Sequence, residues 1–214
     1  MTYAVYGTGG FAREVAPLIT RSGGERPDLV FVDDNEQAPS VVNGYNVINF
    51  DLLCSDAHRA RIVVVAVGDG GVRRRIEARI LEEGLAVSTL FASTAIVQEH
   101  VDIGRGSILS DYVVITSNIK IGRSFHANIY SYVGHDCIIG DYVTFAPRVN
   151  CNGNVHIGDD VYVGTNASII QGSRDEPMTI GAGSVIAMGA VVTKPVPPNS
   201  LMAGNPARLV RMLK

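Results

Sequence analysis

Val133-Gly134-His135-Asp136-Cys137-Ile138-Ile139-Gly140-Asp141-Tyr142-Val143-Thr144-Phe145 is the stretch that decides the fold, because Val133, Ile139 and Phe145 repeat an apolar residue at every sixth place. Carried outward in both directions, the step gives Val97, Ile103, Leu109, Ile115, Ile121, Ala127, Val133, Ile139, Phe145, Cys151, Ile157, Val163 and Ile169. All thirteen positions are apolar, a run that chance would very rarely deliver in a chain of 46% apolar composition. Glycine follows Ile103, Ile121, Val133, Ile139, Ile157 and Val163, and small or β-branched residues often stand four places beyond the repeat position. A period of six excludes an α-helical solenoid and predicts short strands joined by turns and stacked into a parallel β-helix.

The register breaks at Gln171 to Met178, a polar stretch holding Arg174, Asp175, Glu176 and Pro177, and resumes at Ile180, Ile186 and Val192. This predicts a loop extruded from one corner. Lys194-Pro195-Val196-Pro197-Pro198-Asn199 is expected to stop the repeat, and Leu209-Val210-Arg211-Met212-Leu213 to form a short capping helix.

The other end of the chain has a different grammar. Residues 2 to 6 are an apolar run ending at Gly7-Thr8-Gly9-Gly10, and Phe11 to Ile19 has helical apolar spacing. Leu29 to Val32 ends in Asp33-Asp34, and Arg61 to Val67 ends in Gly68-Asp69-Gly70-Gly71; both read as strands buried on two faces. Segments 51 to 57 and 72 to 84 have helical character. The expectation is a small Rossmann-like parallel α/β domain over residues 1–92, followed by the β-helix and its cap over 93–214. Gly7, Gly9, Gly10, Asp33, Asp34, Gly68 and Asp69 then gather at the carboxyl ends of the strands, where such sheets bind nucleotides. The glycine pattern is G-x-G-G, short of the full dinucleotide fingerprint, and serves helix packing equally well. An NAD-dependent oxidoreductase is disfavoured, since no second catalytic domain accompanies so small a unit.

Eighteen basic and 21 acidic residues give a net charge of -3, which offers no general attraction to nucleic acid or to an anionic membrane. Three scattered cysteines, Cys54, Cys137 and Cys151, form neither a disulfide framework nor a metal-binding pair, which fits a reducing compartment. The apolar start is too short for a leader or a membrane span, so the expectation is a cytoplasmic protein.

Ile139-Gly140-Asp141-Tyr142-Val143, Ile157-Gly158-Asp159-Asp160-Val161 and Ile180-Gly181-Ala182-Gly183-Ser184 resemble the hexapeptide motif of left-handed β-helix acyltransferases, and Val192-Thr193-Lys194 with Ala203-Gly204-Asn205-Pro206-Ala207-Arg208 resembles their carboxyl-terminal signature. With the amino-terminal unit included, nearly the whole chain resembles the bacterial sialic-acid O-acetyltransferase-like family, which contains nucleotide-linked aminosugar N-acetyltransferases. The resemblance implies a homotrimer that uses acetyl-CoA as cosubstrate and a nucleotide sugar as acceptor. It also implies acetyl-CoA contacts at Gly153, Ala187, Gly189, Lys194, Pro206 and Arg208.

Among five histidines, His135 stands at a turn between Gly134 and Asp136. With three hexapeptides per coil it lies level with Gly153, whose missing side chain is expected to leave a gap for the acyl end of pantetheine and an N–H for the thioester carbonyl. Acyl transfer needs a base for the attacking group, and histidine suits neutral pH, with Asp136 to orient the ring. The other four, His58, His100, His126 and His156, are expected at the surface, and none belongs to a metal site. By resemblance, His135 and Asp136 match the base and its orienter, Asn128 an asparagine near the sugar, and Cys151-Asn152-Gly153-Asn154 the turn beside the thioester. Thr144 stands where relatives often carry a second histidine. The favoured reaction is N-acetylation of a nucleotide-linked amino-dideoxy sugar. O-acetylation of a sialic acid or similar hydroxyl, and a noncatalytic nucleotide-binding scaffold, are the alternatives.

Overall fold

The computed structural model describes residues 1–21 and 28–213, in two compact units, Met1–Ser93 and Thr94–Lys214. Among the described residues no helix is long and apolar enough to cross a membrane.

In the first unit, β1 (Thr2–Tyr6), α1 (Gly10–Arg21), β2 (Asp28–Val32), β3 (Val41–Val42), β4 (Tyr45–Ile48), α2 (Phe50–Cys54), β5 (Ile62–Val65) and α3 (Gly70–Glu82) follow in order. The sheet runs β3-β4-β2-β1-β5 and is parallel except for the β3–β4 hairpin. Ala4, Val5, Val30, Val32, Val63 and Val65 are buried, as expected for strands covered on both faces. The chain leaves β1 for β2 on one side and later returns to pair β5 on the other. The strand order therefore reverses at β1, which places a crevice at the carboxyl ends of β1 and β5. The hairpin is absent from the sequence expectation, although Asn43-Gly44, both at positive φ, is the turn pair that favours one.

In the second unit the period of six closes into a three-sided coil. Residues pair in parallel with partners 18 places on, Val114 with Tyr132 and Tyr132 with Asn150 on one face, Lys120 with Ile138 on the next, and His126 with Thr144 on the third. The repeat residues from Leu109 to Ile169 are all buried, and so is a second row four places on that includes Val113, Phe125, Val143, Val149 and Val161. Phe125 meets Phe145 edge-on, with ring centroids 5.1 Å apart. Where the second row carries Ser131, its hydroxyl donates to Ala146 O and accepts from Val149 N, so the buried group is satisfied.

From His100 to Asn166 every sixth residue has positive φ, whether Gly106, Asn118, Asp136, Asn154 and Asp160 or Tyr112, Tyr130 and Arg148. That row makes the corners. Left-handed backbone costs roughly 1–2 kcal/mol at a non-glycine residue. It is held here by bonds between coils such as Asn154 N to His135 O (2.8 Å) and Asp136 N to Ser117 O (3.2 Å).

The polar stretch is an extruded loop. Ile157 pairs with Ile180, 23 places on, and the excess over 18 is absorbed at one corner, where Ser173 N donates to Glu176 O. The carboxyl end differs from expectation in two ways. Val196 does not stop the coil but is buried and bridges Ile180, and Ser200–Ala203 adds a further rung beside Val185–Ile186. Nor is the cap a helix: Arg208–Met212 is a strand antiparallel to Ser200–Ala203 and exposed throughout. Backbone pairing with the last open edge satisfies more hydrogen bonds there than a five-residue helix would.

Candidate active site

His135 follows the strand Tyr132–Val133 and opens the corner at which Asp136 has φ 58°. The left-handed turn brings the Asp136 carboxylate round to the imidazole, with Nδ1 2.7 Å from Oδ2, and both side chains are half exposed. A carboxylate accepts hydrogen bonds only, so in the neutral ring Nδ1 carries the proton and Nε2 the lone pair. This is the arrangement a general base needs.

Gly153 lies level with His135, as the repeat of 18 requires, but the expected gap does not exist. A Cβ on Gly153 would stand 2.6 Å from both Cε1 and Nε2 of His135, so the imidazole itself fills the space the glycine vacates. Gly134 is equally constrained, since a Cβ there would meet Gly153 N at 2.6 Å. Gly134 lets the two coils' backbones approach, and Gly153 vacates the place that the ring occupies. Gly153 N–H donates to no group among the described residues, while its carbonyl accepts from Gly172 N. Asn152 is fixed by Tyr132 Oη and by its own Nδ2 donating to Ile169 O at 2.7 Å.

Cys137 and Cys151 are buried in the coil interior, and Cys137 Sγ donates to Asn152 O at 3.2 Å. The hydrogen bond shared with Cys137, together with burial, pushes the Cys151 thiol well up. Neither sulfur is placed as a nucleophile. Asn128 is half-buried one corner away, its Oδ1 accepting from Ile129 N. Thr144 is buried beside His126, which is also buried; the surface expectation for His126 is wrong because the outer side of that face is covered at this rung. His156 was likewise expected at the surface. It is half-buried and borders a cleft of about 460 Å³ with Asp136, Asn154, Ser173, Arg174 and Pro177. The signal was available, since 154 is 136 advanced by one coil, and the polar loop follows one coil later.

Of the residues proposed for acetyl-CoA, Ala187 and Gly189 lie at one corner, Gly189 with open space where a side chain would stand. Lys194 and Pro206 are exposed, and Arg208 is exposed with Nη1 donating to Ala207 O.

In the first unit, Gly7 (φ 109°) donates its N–H to Val32 O and closes on Ala66 O. Gly9, Gly10 and Gly68 have open space where a Cβ would be, so packing does not require glycine there. They border the crevice at the ends of β1 and β5. The aspartates are less free than the sequence implies. Asp33 accepts from Thr8 Oγ1 and Asn35 N, and Asp69 caps α3 by accepting from Val72 N at 2.8 Å. Asp34 accepts from Tyr6 Oη (2.6 Å), Phe50 N (2.9 Å) and Arg79 Nη1 (2.5 Å), and the Arg79 guanidinium lies 3.8 Å above the Phe50 ring. Burial opposes the charge on Asp34, but those three bonds outweigh it and hold the carboxyl below its usual range. Burial first, then the Asp34 bond, pushes the Tyr6 phenol up.

A family profile described as the PglD N-terminal domain matches residues 3–80. Over 210 residues the chain is 44% identical to GDP-perosamine N-acetyltransferase of Escherichia coli O157:H7, covering 96% of this chain and 95% of that one. The chain belongs to the nucleotide-aminosugar N-acetyltransferase family. Similar solved structures include WeeI from Acinetobacter baumannii AYE, at 42% identity and TM-score 0.94 over 98% of this chain and 100% of that chain. The acetyltransferase domain of PglB from Neisseria gonorrhoeae FA1090, solved in complex with acetyl coenzyme A, matches at 30% identity and TM-score 0.87 over 98% of each. The Rossmann-like unit and the left-handed β-helix are thus this family's fold.

Two outcomes follow. Asp34 has a lowered pKa in the folded state, so its stabilisation is full above the ordinary carboxylate range and is lost as pH falls through the folded value. The melting temperature of the Asp34→Asn variant should be lower than wild type at neutral pH and flatter with acidification, as read by calorimetry across the acid range. Gly153→Ala should displace the His135 ring and cut turnover on the order of 10²-fold, with unchanged circular dichroism; wild-type turnover would show that the ring's seat on Gly153 is immaterial.

Proposed function

We propose that the chain is an acetyl-CoA-dependent N-acetyltransferase acting on the amino group of a nucleotide-linked amino-dideoxy sugar, with His135 as general base. The observation that carries the assignment of the base is the Nδ1 to Asp136 contact, which in the neutral ring directs the proton to Nδ1 and the lone pair to Nε2. The 44% identical relative is a GDP-perosamine N-acetyltransferase, and a solved relative holds acetyl coenzyme A, which supports both substrates.

Transfer is direct in this reading. The acceptor amine attacks the thioester carbonyl and forms the C–N bond as Nε2 of His135 takes its proton. Asp136 stabilises the resulting imidazolium, and Gly153 N–H is the candidate donor to the tetrahedral oxyanion. Collapse breaks the C–S bond, and the departing sulfur recovers the proton from His135 to leave as CoA thiol. The crevice of the first unit, bordered by Gly9, Gly10 and Gly68, takes the nucleotide. Ala187, Gly189, Lys194, Pro206 and Arg208 line the CoA path, Asn128 contacts the acceptor, and the reaction takes place in the cytoplasm.

His135→Asn should lower turnover by about 10²–10⁴-fold with little change in acetyl-CoA affinity, and Asp136→Asn should cost less, in steady-state assays paired with titration calorimetry. Near-normal turnover by the His135 variant would remove the assignment. A homotrimer is the assembly proposed, because a single coil's outer face gives CoA only one wall; light scattering should report three chains, and a fully active monomer would refute it.

A further inference from the structure

The cleft that shares the Asp136 wall is absorbed by nothing in the proposed mechanism. It is bordered by Asp136, the partner of His135 Nδ1, at the corner where the loop leaves the coil, and has a volume of about 460 Å³ between Asp136, Asn154, His156, Ser173, Arg174 and Pro177.

Each polar member has bonding capacity to spare. Ser173 Oγ accepts from Glu176 N, which leaves its hydroxyl hydrogen free to donate. Asp136 uses Oδ2 on His135 and keeps Oδ1. The side chains of Asn154, His156 and Arg174 form no hydrogen bond or ion pair among the described residues. The cleft thus offers a carboxylate, a carboxamide, an imidazole, a hydroxyl and a guanidinium within one cavity. An array of donors and acceptors with charges of both signs matches a polyhydroxylated ring, whose hydroxyls each donate and accept. A bare anion would meet Asp136 as well as Arg174, and an apolar group would leave five polar side chains dry.

Reach narrows the choice of ligand. One coil separates Asp136 from Asn154, a rise of about 4.8 Å, so the cleft lies within a sugar ring's width of the reacting centre. The phosphates of CoA are separated from the thioester by the whole pantetheine arm, several coils long, and cannot occupy it while the acetyl group sits at His135. We propose that this cleft receives the hydroxyl-bearing edge of the acceptor sugar, and that Arg174 and Ser173 on the loop, with His156 and Asn154 beneath them, determine which sugar is accepted. The proposal rests on the acetyltransferase reading and extends it to specificity.

The test is steady-state kinetics of the whole chain with acetyl-CoA and GDP-perosamine, and with the analogue of that acceptor lacking one ring hydroxyl. Arg174→Gln, His156→Gln and the double variant are compared with wild type. The expected result is an acceptor KM raised about tenfold for each single variant, the effect of losing one charge-assisted bond, with the acetyl-CoA KM within about twofold. Discrimination between acceptor and deoxy analogue should shrink in the variant that loses the relevant donor. Unchanged acceptor KM and unchanged discrimination in a wild-type-active chain would overturn the specificity cleft alone, as would equal rises in both KM values. A wild-type chain that acetylates no amino sugar would overturn the cleft together with the reading on which it rests.

Discussion

One backbone constraint governs the second unit: every sixth residue from His100 to Asn166 must turn through the left-handed region, and each turn is held by the coil before or after it. A non-glycine residue resists that conformation, and no single coil bonds well enough to impose it. Stacking supplies the difference, because the corner N–H of one rung finds the corner carbonyl of the rung before it, as Asn154 does with His135. Order in such a solenoid is a nearest-neighbour property, so a residue in mid-stack is held from both sides. His135 occupies such a place.

The His135–Asp136 pair is a by-product of the same turn. Asp136 is one of the left-handed residues, and the reversal of chain direction there is what swings its carboxylate onto Nδ1 of the preceding histidine. In an extended strand adjacent side chains point to opposite faces and could not meet. The proposed base and its carboxylate are therefore two consecutive residues, while the ring's seat, Gly153, comes from the next coil.

Much of this could be read from the chain because a strict period transmits distance. Counting by 18 placed Gly153 level with His135 and the apolar rows inside, and the registers agree. What counting could not do was decide occupancy. Whether the space over Gly153 holds solvent, ligand or imidazole depends on a rotamer, and it is the imidazole. The carboxyl end departs from its sequence pattern for a related reason: Pro195, Pro197 and Pro198 look like a stop, yet proline suits a coil corner, and Val196 between them is buried. In the first unit the aspartates at strand ends were legible as a group, but the sequence is silent on the Arg79 that crosses to Asp34. His126 shows the same limit, since alternation says which face a residue is on and not whether that face is covered.

The extruded loop adds five residues to a coil without disturbing the pairing of Ile157 with Ile180 on either side of it. Its length and composition are thus nearly decoupled from the energetics of the stack, which is maintained by the rungs above and below. A lineage can rewrite those few positions, or lengthen them, while the folding threshold stays where it was. Evolvability is in that sense a property of this corner: a segment that shares a cleft with Asp136 can change while the fold is put little at risk.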